Sequence, residues 1–247
     1  MNFSIIRFDQ IGSTNTEALN HARRGAEEGL CIVARQQTEG RGRHGRTWVS
    51  PKDAGLYFSI VLRPTIEPRF LTLITLMAGV AVNDTLAEFG LRSDIKWVND
   101  LLVNEKKIAG ILAETTETNK GLAIVVGFGI NLKSINFPPE IAETVTSLDA
   151  ETGRAVTFSE LEETLVRFIG HFYDMLQSPN GPDETLREWQ RRSSYSSGKQ
   201  VVVRLANETI TGTTDGLGAN GALRVRKTDG KTVTVTAGEV ERLRSPN

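Results

Sequence analysis

The sequence has almost no cysteine and no long apolar run. Cys31 is the only cysteine among 247 residues, so no disulfide can form within the chain. It lies in the apolar run 30–33, which is typical of a small buried hydrophobic residue. Nowhere do about 18 apolar residues follow one another, as a membrane-spanning helix requires. The first nine residues lack the basic and apolar regions of a secretory signal, so we expect a cytoplasmic protein without a membrane partner.

The chain also lacks an excess of charge of either sign. It has 29 Lys and Arg residues against 30 Asp and Glu residues, a formal net charge of -1. This balance gives no overall positive field that would draw the chain onto nucleic acid, and we expect no nucleic-acid partner. The hydrophobic share of 39% and the charged share of 24% are ordinary for a globular protein. An anion site must therefore be local.

Patterns of a zinc centre or of a nucleophilic triad are missing as well. His21, His44 and His171 are scattered, and the lone cysteine has no neighbouring ligand pair. Zinc sites need three or four such side chains at regular spacing, and a Ser-His-Asp triad needs its own constellation. The sequence therefore predicts no particular metal ligands.

Hydrophobic periodicity predicts a chain that mixes helices and strands. The predicted strands cover residues 5–8, 30–35, 56–62, 95–103, 108–114 and 122–131. The last three are separated by turn residues, which favours an antiparallel meander. Capping-box patterns at 14–17 and 157–160 predict two helix starts. A long helix is predicted before Gly90, and a shorter one near 182–190.

The C-terminal part has a different pattern. Residues 193–198 are polar and predict a linker, and the strand-like runs beyond them alternate with Asn-Gly and Asp-Gly turns. These runs are 201–203, 209–211, 223–225 and 233–235. They predict a small β-barrel of the SH3-like type. We therefore expect two domains, 1–197 and 198–247.

A glycine-rich stretch at 40–45 follows the second predicted strand. It fits G-x-G-x-x-G, but a dinucleotide fingerprint also needs a helix directly afterwards, and residues 47–51 are poor helix formers. We interpret it as a loop that carries three guanidinium groups, Arg41, Arg43 and Arg46. Guanidinium pairs bidentately with phosphate and carboxylate. A solvated basic loop is the alternative from this stretch alone.

Two lysines and two glycines stand out on the predicted strands. Lys96 and Lys107 lie beside apolar residues, and a partly buried ammonium needs an anionic partner; an ordinary surface charge is the alternative. Asp100 could pair with either lysine. Gly127 and Gly129 interrupt an apolar run, which indicates either a β-bulge or a close approach to the strand backbone.

In order and spacing, these segments resemble the biotin protein ligases. The segments are 13–15, 37–46 with Trp48, 96–100, 107–112 and 127–131. The likeness extends over nearly the whole chain, including the C-terminal barrel. Val98 stands where the family usually has proline, and His44 stands at a variable position. The resemblance implies an α+β fold, with the mixed sheet and helices of class II aminoacyl-tRNA synthetases and biotin ligases.

The resemblance also implies a reaction and its partners. Such an enzyme would use ATP and Mg²⁺ to convert biotin to biotinyl-AMP, and would transfer the biotin to a lysine on the biotin carboxyl carrier domain of a carboxylase. Because the catalytic segments begin near residue 13, the chain is similar to the monofunctional class without an N-terminal DNA-binding domain. A homodimer is left open. A lipoate ligase and a non-catalytic protein-binding module are the alternatives.

The resemblance assigns roles to individual residues. Lys96 and Arg41 would be catalytic, because they would neutralise the charge that gathers at the α-phosphate. The biotin residues would be Ser13, Thr14, Asn15, Gln37, Gly40, Arg41, Gly42, Arg43, Lys96 and Gly110. The ATP residues would be Arg41, Arg43, Arg46, Trp48, Asn99, Lys107 and Asn131. The arginine-glycine loop would close over the intermediate and exclude water.

Overall fold

A computed structural model describes residues 1–134, 137–205 and 208–242. Its larger part is built on a sheet of seven strands. These are β1 Ser4–Phe8, β2 Leu30–Ala34, β3 Gly55–Leu62, β4 Asp94–Lys96, β5 Asp100–Val103, β6 Lys106–Thr118 and β7 Gly121–Asn131. Their spatial order is β1-β2-β3-β7-β6-β5-β4. Only β1 and β2 run parallel; the other neighbours are antiparallel.

Six α-helices lie within the described residues. They are α1 Thr14–Arg23, α2 Leu73–Glu88, α3 Pro139–Ala142, α4 Leu148–Thr152, α5 Phe158–Leu176 and α6 Gly181–Arg192. The predicted capping box at Thr157 and Glu160 is present at the start of α5. The prediction for α1 was wrong by one residue, because Ser13 is its N-cap and accepts from the Thr16 amide. No described helix is long and apolar enough to span a membrane.

The two faces of the seven-stranded sheet differ in character. One face packs against α2 and α5 through large apolar side chains such as Phe58, Phe128 and Ile111. The other face packs against α1, through Val61 and Val125 among others. Towards the N-terminus of α1 this second face changes to small residues. They are Ser59 on β3, Gly110 on β6 and Gly127 and Gly129 on β7. Small side chains leave room there for a site.

The predicted strand at 95–103 is two strands. β4 ends at Lys96 and β5 begins at Asp100, and the turn between them contains a cis peptide bond between Trp97 and Val98. Periodicity missed the turn because Ile95, Trp97 and Leu101 are all buried, so the whole segment looks like one apolar run. The turn brings Lys96 opposite Asp100 in the hairpin register.

The C-terminal part is a second, antiparallel sheet. Its strands are β8 Ser197–Arg204, β9 Thr209–Leu217, β10 Leu223–Lys227, β11 Thr232–Val235 and β12 Glu239–Arg242, in the order β11-β10-β9-β8-β12. The four predicted strands are confirmed. The sequence did not predict β12, in which three of four residues are charged.

The segment 193–198, whose polarity predicted a linker, makes specific contacts with the first sheet. Ser193 Oγ donates to the Ile95 carbonyl oxygen at 2.5 Å, and Tyr195 is buried. Trp97 Nε1 also donates to the Gly221 carbonyl oxygen at 3.0 Å. Apolar residues of both sheets belong to one continuous core. The second sheet is therefore docked against the first, close to the turn that carries Lys96.

Candidate active site

An inner pocket of about 40 Å³ lies on the α1 face of the first sheet, over the small residues. Seven of the ten residues predicted for biotin line it: Ser13, Thr14, Asn15, Gln37, Arg41, Gly42 and Gly110. Trp48, Asn99 and Lys107, which were predicted for ATP, line it too. Of the three remaining residues predicted for biotin, Arg43 and Lys96 line a small neighbouring cavity. The third, Gly40, packs against the backbone of Trp48. A Cβ atom on Gly40 would lie only 2.2 Å from the Trp48 carbonyl oxygen.

Neutral polar groups hold one another around the inner pocket. The backbone amide and the Oγ1 of Thr14 both donate to Gln37 Oε1, at 2.8 and 3.0 Å. Gln37 Nε2 donates to Ser50 Oγ at 2.9 Å. Ser59 Oγ lies 2.8 Å from Thr14 Oγ1 and 2.6 Å from Asn15 Oδ1. Such groups suit an uncharged polar ligand, because each can both give and receive hydrogen bonds.

Sequence reasoning missed three members of this network, Ser50, Ser59 and Glu114. Ser59 is fully buried in an apolar strand. A single hydroxyl in such a strand indicates a polar partner, so the sequence did contain a signal for this residue. Glu114 Oε2 accepts from Asn15 Nδ2 at 3.0 Å. Glu114 and Asn15 are 99 residues apart in the chain, so no local pattern indicates this hydrogen bond.

Close approach explains the glycines of β6 and β7. The register around Gly127 and Gly129 is continuous, so the bulge alternative is excluded. A Cβ on Gly127 would lie 2.0 Å from Asn15 Oδ1, and one on Gly129 would lie 2.3 Å from the Trp48 ring. Trp48 Nε1 is buried there without a hydrogen-bond partner among the described residues. The indole thus fills space on the floor of the site.

An outer cavity of about 790 Å³ adjoins the inner pocket and lies between the two sheets. Trp48 and Lys107 line both spaces. Four of the seven residues predicted for ATP lie on its walls: Arg46, Trp48, Lys107 and Asn131. Apolar walls come from Leu102, Val145, Tyr195 and Val202. Its size is in the range of clefts that take small-molecule ligands.

Asp100 links the two predicted lysines. Its Oδ1 lies 2.6 Å from Lys107 Nζ and its Oδ2 lies 3.3 Å from Lys96 Nζ, so it is the partner of both. Burial alone would raise the pKa of this carboxyl, but the two ammonium groups outweigh burial and the pKa is lowered. One negative charge therefore faces two positive charges on the cavity wall.

The three loop arginines have different partners. Arg41 Nη2 lies 2.9 Å from Glu114 Oε1, and Arg46 forms a bidentate pair with Glu239 of β12 at 2.7 and 2.5 Å. Arg43 Nη1 donates to the neutral Asn99 Oδ1 at 3.0 Å. Burial lowers the pKa of Arg43 although Asp100 and Glu239 act against the shift, but a guanidinium with so high a pKa stays charged. Positive charge is therefore in excess in a small neighbouring cavity, which is lined by Arg43, Arg46, Lys96 and Lys107 against Asp100 and Glu239.

A polar pocket with Arg41 and Lys107 on its wall, next to a larger cavity, is the arrangement expected of a ligase that binds a small acid beside a nucleotide. Residues 7–131 match the Biotin/lipoate A/B protein ligase family, and residues 196–243 match the biotin protein ligase C terminal domain. The chain belongs to the biotin/lipoate A/B protein ligase family.

Individual relatives resemble the chain over most of its length. The bifunctional ligase/repressor BirA of Bacillus spizizenii is 34% identical over 233 residues, which are 92% of this chain and 70% of the relative. The biotin--[acetyl-CoA-carboxylase] ligase of Paracoccus denitrificans is 33% identical over 236 residues, with coverages of 92% and 96%. The biotin protein ligase from Aquifex aeolicus, solved with biotin and ATP, has a TM-score of 0.84 and 28% identity over 98% of this chain and 99% of that one. The predicted fold class is confirmed.

Proposed function

We propose that the chain is a biotin protein ligase, which converts biotin and ATP to biotinyl-5'-AMP and then transfers the biotin to a lysine of a biotin carboxyl carrier domain. The observation that carries this proposal is the continuity of the two spaces, because Trp48 and Lys107 line both the inner pocket and the outer cavity. Relatives that are named as biotin ligases support the choice of substrate.

Biotin has an uncharged ureido head, an apolar chain and a carboxylate. The head would bind the polar groups around Thr14 and Gln37, and the carboxylate would point towards Arg41. Sites for small molecules commonly have about 300 Å³ or more, whereas the inner pocket has about 40 Å³. We therefore expect the inner pocket to widen when biotin enters.

ATP would lie in the outer cavity with its α-phosphate near Lys96 and Lys107. A carboxylate oxygen of biotin would attack the α-phosphorus, the new P–O bond would form, and pyrophosphate would leave. Negative charge gathers at the phosphate during this step, and cationic donors already in place lower its energy. Asp100 would keep both ammonium groups on the cavity wall, since it binds each of them.

Mg²⁺ enters this proposal as an ion carried by the nucleotide. The described parts of the chain contain no cluster of three or more His, Cys, Asp or Glu that could hold a metal. Magnesium commonly binds substrate phosphates together with one or two carboxylates, and Asp100 and Glu239 are carboxylates on the wall of the outer cavity. The ion would neutralise phosphate charge there.

In the second half-reaction the deprotonated amine of a carrier lysine would attack the acyl carbon of biotinyl-AMP. A C–N bond forms, the bond from the acyl carbon to the phosphate oxygen breaks, and AMP leaves. The intermediate must be kept from water until then. The bonds of Arg43 to Asn99 and of Arg46 to Glu239 would hold the loop over the site.

Exchange of labelled pyrophosphate into ATP tests the first half-reaction. We expect exchange that depends on biotin, and much weaker exchange with lipoate. Addition of an apo carrier domain should then give a product that streptavidin detects. Exchange with lipoate and not with biotin would replace the proposed substrate, and no exchange with either acid would refute the adenylation.

A further inference from the structure

Glu114 of β6 stands where the arginine-glycine loop meets the start of α1. One carboxylate oxygen, Oε1, lies 2.9 Å from Arg41 Nη2. The other, Oε2, accepts from Asn15 Nδ2 at 3.0 Å. A single side chain, which is 22% exposed, thus contacts a loop residue and a helix residue at once.

Arg41 is the loop residue that Glu114 contacts. It lies between two glycines, Gly40 and Gly42, and its side chain is 45% exposed. A long side chain on such a loop has many conformations, and it must lose them before it can meet a substrate. Within the described ranges, Glu114 is the only side chain that binds its guanidinium. The contact uses Nη2 and leaves Nη1 and Nε for a ligand.

Asn15 is fixed by the same carboxylate. Its Nδ2 donates to the Leu112 carbonyl oxygen at 3.1 Å as well as to Glu114, and its Oδ1 lies 2.6 Å from Ser59 Oγ. Both amide hydrogens are therefore used within the protein. Asn15 acts as a wall of the inner pocket, and Gly127 leaves the space in which it lies.

We propose that Glu114 is a positioning residue that sets Arg41 at a fixed place relative to the inner pocket, so that the guanidinium meets the carboxylate of a bound acid. Glu114 does not touch the substrate and acts through Arg41. The proposal rests on the proposed function, because it assumes that the inner pocket binds the acid that becomes adenylated.

Glu114→Gln is the sharpest variant, since it keeps the shape and can still accept from Asn15 but loses the charge that binds Arg41. We expect kcat/KM for biotin in pyrophosphate exchange to fall about 3- to 30-fold, with an unchanged melting temperature. Glu117→Gln, at an exposed position on the same strand, is the matched control and should behave as the wild type. If the wild type is active and Glu114→Gln is equally active, the proposal is wrong.

A double-mutant cycle tests whether Glu114 acts through Arg41. In an Arg41→Ala background, Glu114→Gln should cause no further loss of exchange, because the group it positions is gone. Losses that multiply would show an independent effect and contradict the proposal. If the Gln variant melts below the assay temperature, the same cycle is run with Glu114→Asp. Absence of biotin-dependent exchange in the wild type would instead refute the proposed function.

Discussion

Trp48 packs so closely on Gly129 that a Cβ atom on this glycine would lie 2.3 Å from ring atom Cε2. The cross-strand partner of Gly129 is Gly110, whose Cβ would lie 3.0 Å from Cζ3 of the same ring. The two glycines therefore form a slot for the indole. By holding Trp48, they anchor the arginine-glycine loop to the sheet. The loop and the two glycines are far apart in the sequence.

Gly129→Ala should dislodge Trp48, because a methyl group cannot share this space with the ring. A catalytic loop that is misplaced by about 1 Å can lose about 100-fold in rate, so we expect biotin-dependent exchange to fall at least about 10-fold. Tryptophan emission should also change as Trp48 moves. The other two tryptophans, Trp97 and Trp189, are buried in the core, so the change can be assigned to Trp48. Gly218→Ala is the control, since its Cβ would come no closer than 3.3 Å to another atom. Unchanged emission and exchange in Gly129→Ala would refute the anchoring role.

Lys96→Ala should abolish most adenylation while the fold stays intact. One donor that stabilises developing charge commonly contributes about 10²- to 10³-fold to the rate, and Lys96 lies on the wall of the outer cavity. Pyrophosphate exchange measures the loss, and a thermal melt checks the fold. Lys106→Ala, an exposed lysine near the same hairpin, should leave exchange unchanged. Wild-type turnover in Lys96→Ala would mean that Lys96 is an ordinary surface charge.

Asp100 should make the stability of the protein depend on acid pH. Its pKa is lower in the folded chain than its ordinary value of 3.8. A carboxyl of this kind contributes stability that is fully present above the unfolded pKa and is lost as pH falls through the folded pKa. Asp100→Asn removes that contribution and leaves two lysines without their partner, which costs about 3 kcal/mol near neutral pH.

Denaturant unfolding of wild type and Asp100→Asn between pH 7 and pH 2 measures this effect. The difference in the free energy of unfolding should be large at pH 7 and should shrink below about pH 4. Asp215→Asn serves as control, because Asp215 forms no ion pair within the part of the chain that is described. A difference that stays constant with pH would show that the carboxylate charge is not what stabilises the fold.

Resemblance to a known family, rather than local pattern, indicated which residues would lie together at the candidate site. The arginines of the loop, Lys96, Asn99 and Lys107 line neighbouring spaces, as their resemblance to a known family implied. The predicted strands of the second sheet were also correct, because alternation and turn residues are local signals.

Contacts between distant segments were beyond the sequence. Arg46 and Glu239 are 193 residues apart, and no local pattern indicates that they pair. The bond from Trp97 Nε1 to Gly221 is of the same kind. The split of the strand at Trp97 was missed for another reason, since tertiary burial makes a turn look like a continuous apolar strand.

Arg43 supplies the last prediction, which concerns how the intermediate is retained. Its guanidinium donates to Asn99 Oδ1 and lies beside the cavity that also contains Lys96. Arg43→Gly removes this contact and loosens the backbone of the loop. The variant should keep part of its adenylation activity but release biotinyl-AMP about 10- to 100-fold faster, as expected for the loss of one charge-assisted hydrogen bond.

Released biotinyl-AMP would react with exposed lysines of any protein nearby. We therefore expect Arg43→Gly, mixed with serum albumin, biotin and magnesium-ATP, to biotinylate albumin far more than the wild type, as detected with streptavidin. Arg43→Lys should be intermediate, because it keeps the charge but loses the planar fork of donors that reaches Asn99. If all three proteins label albumin equally weakly while each still modifies the carrier, Arg43 does not retain the intermediate, and closure of the loop must depend on Arg46 and Glu239 instead.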